Sequence, residues 1–207
     1  MSASMNHPRR PAMLDPEVAE SIPGDEDPAV TTAVALTSAR ALLGLGDDEF
    51  TADQVEKLAH LIKTEGVDAV STLWARSSKL TLPGQMWRLY LVREWFRRDT
   101  DTVRSRYEEG ERAIHQRPGA EDLVLPELES TMAKIEQLMT GGGVDSMVEL
   151  LKATSGVMRV LAAGVSAGPE WITSDDDELA DVVTRRAGAL QKTAEELAEA
   201  AKLGDRE

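Results

Sequence analysis

The chain of 207 residues is long enough for one large or two small domains, and its 42% apolar content can build a core, which argues against wholesale disorder. Cysteine is absent, so disulfides, thiolate metal sites and a cysteine nucleophile are excluded together. A net charge of −14 disfavours nonspecific attraction to nucleic acid or to anionic membranes, because the long-range field repels both.

The charge is unevenly spread. Residues 1–70 carry 5 basic and 13 acidic side chains, residues 71–117 carry 10 and 6, and residues 118–207 carry 8 and 18. The economical reading of this basic island is that acidic helices of the same chain pack beside it. Arg9 and Arg10 precede no apolar run, and no segment approaches the roughly 20 residues needed to span a bilayer, so a cytoplasmic setting is expected. Arginine (16) exceeds lysine (7) and Asn6 is the only asparagine, a bias that points to a GC-rich bacterial genome.

Residues 1–28 hold five of the nine prolines and no apolar periodicity, so a disordered tail is expected there, with Val18 and Ile22 as a possible docking pair. Asp27 and Pro28 form an N-cap and first-turn pair, and Gly44 a stop, which predicts a helix over 28–43 rich in alanine and valine. Thr51 and Gln54 match a capping box, followed by Val55, Leu58, Ala59 and Ile62 at helical spacing up to Gly66. A shorter helix over 67–78 places Val67, Val70, Leu73 and Trp74 on one side.

Leu80 to Asp99, LTLPGQMWRLYLVREWFRRD, reads as the stretch around which the rest is built. Thr81 and Pro83 start a helix over 83–98. Trp87, Leu91 and Trp95 form one apolar stripe and Leu89, Val92 and Phe96 another, which predicts a buried aromatic helix covered on two sides. A third face carries Met86, Tyr90, Arg93 and Arg97. Asp101 caps a fifth helix through Val103, Tyr107 and Ile114, where Gly110 costs about 1 kcal/mol relative to alanine and predicts a bend or break.

QRPGAED, Gln116 to Asp122, reads as a linker. Beyond it Leu125, Leu128, Met132, Ile135 and Met139 recur at three and four until Gly141–Gly143. The next helix begins near Asp145 and ends near Gly164 or Gly168, with Gly156 inside it as a tight contact or a kink. Trp171 precedes a last helix capped by Thr173 or Ser174, with Asp175 to Glu178 at its positive end. Its apolar edge is Leu179, Val183, Leu190 and Leu197, and Arg186 and Thr193 interrupt the other core positions.

The fold expected is therefore all-α: a tail over 1–28, a multi-helix domain over 29–115 around the buried aromatic helix, a linker over 116–124, and an antiparallel three-helix bundle over 125–204.

No catalytic constellation stands out. Three histidines occur, His7, His60 and His115; Glu56 with His60 and Glu111 with His115 are each four apart, but local pairing explains them better than a metal site. The acids Asp47, Asp48, Glu49 and Asp53 lack the glycine and terminal glutamate of a calcium loop. No GK[ST] follows the triple glycine and no G-x-S-x-G elbow is present, so neither a phosphate loop nor a hydrolase serine is indicated, and no cofactor is implied. The candidate binding residues are those of the basic island: Arg88, Tyr90, Arg93, Arg97, Arg98, Arg104 and Arg106, a patch that could hold an anionic partner or pair internally. The expected function is non-enzymatic, a protein-binding regulator or adaptor of a bacterial cytoplasm whose partner is another protein or, through the carboxyl-terminal helices, a second copy. Nucleic-acid binding by residues 76–117 is the alternative, disfavoured by net charge and by the apolar character of the most basic helix; an enzyme with an unrecognised pocket is the third reading.

Overall fold

The computed structural model describes residues 28–46, 50–167 and 187–205. Among these residues the protein is all-α, with eight helices and no strand. In chain order they are α1 (Pro28–Leu42), α2 (Ala52–Glu65), α3 (Asp68–Trp74), α4 (Leu82–Arg98), α5 (Thr100–His115), α6 (Leu128–Met139), α7 (Met147–Ala167) and α8 (Ala187–Gly204). Residues 1–27 of the expected tail, with His7, the acids 47–49, Trp171, Thr173, Ser174, Asp175–Glu178, Leu179, Val183 and Arg186 lie outside the described residues, and Pro28 opens α1.

Local chemistry sets the starts and stops. The Gln54 side-chain oxygen accepts the Thr51 backbone N–H at 2.9 Å at the head of α2, and Gly66 ends that helix at a φ of +90°. Thr81 accepts from the Gly84 N–H at the start of α4, with Pro83 in the first turn where its missing donor costs nothing. Gly141 ends α6 at φ +78°.

The amino-terminal helices close on each other through small residues. Ala35, Ser38 and Ala39 of α1 are buried, and into the space they leave fits the Trp74 indole, itself buried, whose N–H donates to Ser38 Oγ at 2.9 Å. Val67 and Val70 lie beside it. The indole thereby buries one of the largest apolar surfaces in the chain with its only donor satisfied.

α4 packs against α1, α3, α5, α6 and α8. Its buried residues, however, are Met86, Leu89, Leu91, Val92 and Arg93, while Trp87, Tyr90, Trp95 and Phe96 are half-buried. The expectation of a buried aromatic helix is corrected accordingly: the aliphatic positions go deepest and the rings sit at the rims. The reason is volume and polarity together, since a wide ring with a polar edge fits the boundary where arginines and water also gather.

The most deeply embedded element is α7, not α4. Leu150, Leu151, Thr154, Ser155, Val157, Met158, Val160, Leu161, Ala162 and Gly164 are buried around most of its circumference, which is the signature of a central helix. It packs most extensively along α8 and α5. Ser155 Oγ donates to the Ala194 carbonyl at 2.7 Å across the α7–α8 seam. On α8, Leu190, Thr193, Ala194, Leu197, Ala200 and Ala201 are buried. Thr193 therefore belongs to the core rather than interrupting it, because its hydroxyl is returned to the Ala189 carbonyl at 3.1 Å.

Against α5 the contact is closer still. A Cβ placed on Gly110 would stand 1.9 Å from the Val160 carbonyl oxygen, and one on Gly164 would stand 2.0 Å from the Arg106 carbonyl oxygen. Helix α5 runs unbroken through Gly110, so the expected break is absent and this glycine serves a backbone-to-backbone crossing. Gly156 makes the analogous space for Pro126, whose Cγ would lie 2.4 Å from a Cβ there. Helices on the two sides of residues 116–124 thus pack on each other, α5 along α7 and α4 against α6 and α8, within a single cluster of buried side chains.

Candidate functional site

The seven residues of the basic island do not converge on one patch. Arg88 reaches α8, where its Nε donates to Glu196 Oε2 at 2.7 Å, and its Nη1 donates to the Gly84 carbonyl at 2.8 Å. Tyr90 stacks on Trp87 with ring centroids 5.5 Å apart, and burial pushes its phenol above the ordinary tyrosine value. Arg93, only 9% exposed, forks onto Glu136 of α6 with Nε to Oε2 at 2.6 Å and Nη2 to Oε1 at 3.0 Å. Its third nitrogen donates to Glu94 at 2.8 Å. The hydrogen bonds from Arg93 hold the Glu136 carboxyl below the usual carboxylate range, and those same bonds raise the guanidinium.

Arg97 donates to the same Glu94 at 3.2 Å, and Arg98 stands 3.9 Å from it, so one glutamate gathers three arginines. Arg104 donates to Glu129 of α6 at 2.6 Å and lies over the Phe96 ring at 5.8 Å. Arg106 is 3% exposed, with its guanidinium 5.5 Å above the Trp95 ring, and burial draws its value below that of an ordinary guanidinium. Lys79 adds a fourth bridge from the island to the carboxyl-terminal half, to Glu199 at 3.0 Å. Four cations of the island, Lys79, Arg88, Arg93 and Arg104, thus meet glutamates of α6 and α8, and the forked Arg93–Glu136 pair ties α4 to α6.

The histidine pairs hold no metal geometry: among the described residues no group of three or more potential ligands comes together. Both His60 and Glu56 face solvent. His115 instead donates from Nε2 to the Leu123 carbonyl at 3.0 Å.

That bond belongs to a different site, which the periodicity of the sequence does not mark. An open cleft of about 650 Å³ lies between the end of α5, the connection before α6, the middle of α7 and the first turn of α8. Its floor is aliphatic, with Ile114, Val160 and Ala163 prominent, and its polar lining consists of Arg117, Arg159 and Gln191. The connection forms one wall and is held from both sides. Tyr107 donates its hydroxyl to the Pro126 carbonyl, His115 holds Leu123, and Pro126 fills the notch over Gly156. Turns closed by Arg117, Ala120 and Leu123 N–H groups complete it. Leu125, expected inside the helix, lies in this wall, because the residue before a proline is driven out of the helical region and α6 starts only at Leu128.

The wall turns aliphatic side chains outward. Leu123 is 53% exposed and Val124 92% exposed, although the backbone carrying them is anchored. Arg117 and Arg159 are exposed and, unlike the arginines of α4, form no ion pair among the described residues. The acids nearest Arg117 in sequence are Glu121 and Asp122, and neither forms an ion pair with it. The run LVLP at 123–126 was the available signal: an apolar stretch directly after an acidic turn, too short and proline-broken to be a helix.

Chemically, the cleft offers two fixed positive charges, an amide and an apolar floor. Its described lining holds no carboxylate, imidazole, hydroxyl or thiol that could move a proton or attack a carbonyl. Among the described residues no helix is long and apolar enough to cross a membrane. No family model, curated protein or solved structure matches this chain.

Proposed function

We propose that this protein is a non-catalytic binding protein, a regulator or adaptor, and that it holds its protein partner at the cleft between α5, α7 and α8. The observation that supports this reading is the pairing of a rigid wall with outward aliphatic side chains: Leu123 and Val124 stand in solvent on a backbone tied down by Tyr107, His115 and Pro126. A backbone already held in place has little main-chain freedom left to lose when its exposed side chains are covered, which favours docking. A lining without proton-transfer groups favours holding over turnover. The arginine face of α4, the other candidate, is engaged with Glu136, Glu94 and Glu196 within the chain, so it serves the fold in this reading.

The test places a benzophenone photocrosslinker at position 124 and, as a control, at the exposed Lys57 on α2, in extracts of the source cells treated with nuclease. A discrete protein adduct at position 124 that is absent at position 57 is expected. No adduct above the control, or reproducible substrate turnover by the purified chain, overturns the reading.

A further inference from the structure

Resting on that reading, we infer that the partner contributes a short acidic segment with aliphatic side chains, seated along the cleft with its carboxylates on Arg117 and Arg159. Charge is the first argument. Glutamates of α4, α6 and α8 meet the arginines of α4, whereas Arg117 and Arg159 face the cleft without an ion pair among the described residues. The described lining of the cleft thus carries two positive side chains and no negative one, in a chain of net charge −14. The Debye length at physiological salt is about 8 Å, so a carboxylate seated in the cleft is within reach of both guanidiniums.

Shape is the second argument. The cleft is open rather than enclosed, so it would leave much of a small molecule in water, whereas small-ligand sites bury most of the ligand's surface. An extended or helical segment crossing it can lay aliphatic side chains on Val160 and Ala163 and continue over Leu123 and Val124 on the rim. Arginine suits the polar contacts, since its planar fork matches a carboxylate. The amide of Gln191 provides both a donor and an acceptor for the segment's backbone.

The experiment measures fluorescence anisotropy of a labelled peptide of about twelve residues, built from leucine and glutamate with helical spacing, titrated with the full chain. A lysine-for-glutamate counterpart is run in parallel. Expected are saturable binding of the acidic peptide, no binding of the basic one, and a loss of affinity on the order of tenfold in the R117E/R159E variant. Both arginines are exposed and form no ion pair among the described residues, so that variant should retain its circular dichroism and urea midpoint. Acidic and basic peptides binding alike, with no response to R117E/R159E, overturns the acidic assignment but leaves the cleft as a docking site. Failure of both peptides, together with a silent crosslinker at position 124, overturns both. If the acidic peptide binds only after Trp171 and Ile172 are changed to serine, the occupant is the chain's own residues 168–186, and the partner assignment falls. A concentration-dependent dimer lost in R117E/R159E would make the occupant a second copy and likewise overturn it.

Discussion

Gly110→Ala separates local propensity from tertiary contact, because the two predict opposite signs. In an isolated helix the change stabilises by about 1 kcal/mol. In the folded protein the added methyl would stand 1.9 Å from the Val160 carbonyl oxygen and within 3.0 Å of the Gly164 backbone nitrogen, where neither neighbour is a flexible side chain. Restoring an ordinary contact requires α5 and α7 to part by about 1.5 Å, and a gap of about 0.5–1 Å already forfeits a quarter to a half of the dispersion attraction along their seam. Overpacking and the loosened seam together come to about 3–5 kcal/mol, and the helix gain offsets about 1, leaving a net loss of about 2–4 kcal/mol. Urea unfolding followed by circular dichroism should show a lower midpoint at unchanged slope. Gly188→Ala is the control, since no described residue lies within 4 Å of its added methyl; it should be neutral or stabilise by up to about 1 kcal/mol. A midpoint for Gly110→Ala at or above that of the parent protein would refute the close crossing.

Ser38→Ala should cost about 1–3 kcal/mol in the same assay, because it leaves the Trp74 N–H buried without an acceptor; adding Trp74→Phe should cost less than the sum of the two single changes. Glu136 has a depressed folded value, so its contribution is present above the ordinary carboxylate range and is lost as pH falls through that depressed value. Glu136→Gln should therefore flatten the acid limb of stability against pH, by no more than about 1 kcal/mol because the Glu136 side chain is 45% exposed. The Tyr107 phenol, pushed up to about 12 by burial and by Glu111 and Glu127, contributes stability that is intact below the ordinary tyrosine value and lost as pH rises through about 12. Ultraviolet titration should show its late phase disappear in Tyr107→Phe, and an unchanged titration curve would contradict the burial.

The linear order of residues was sufficient for the helices and their punctuation. Thr51 with Gln54, Thr81 with Pro83, and the glycines at 66 and 141 act through backbone atoms a few positions away, so their effect is legible without knowing what packs on them. The basic island beside acidic helices was legible for the same reason, since net charge is a sum over the chain, but its pairing was not: Arg93 meets Glu136 and Arg88 meets Glu196 only because α4 lies against α6 and α8. Gly110 was readable as a weak helical position and not as a crossing point, because the atom that forbids a side chain there belongs to Val160, fifty residues on. The cleft was hidden most completely. It is assembled from the end of one helix, a turn, the flank of a second helix and the start of a third, and only folding brings Arg117 and Arg159 to one opening while Arg88 and Arg93 meet glutamates.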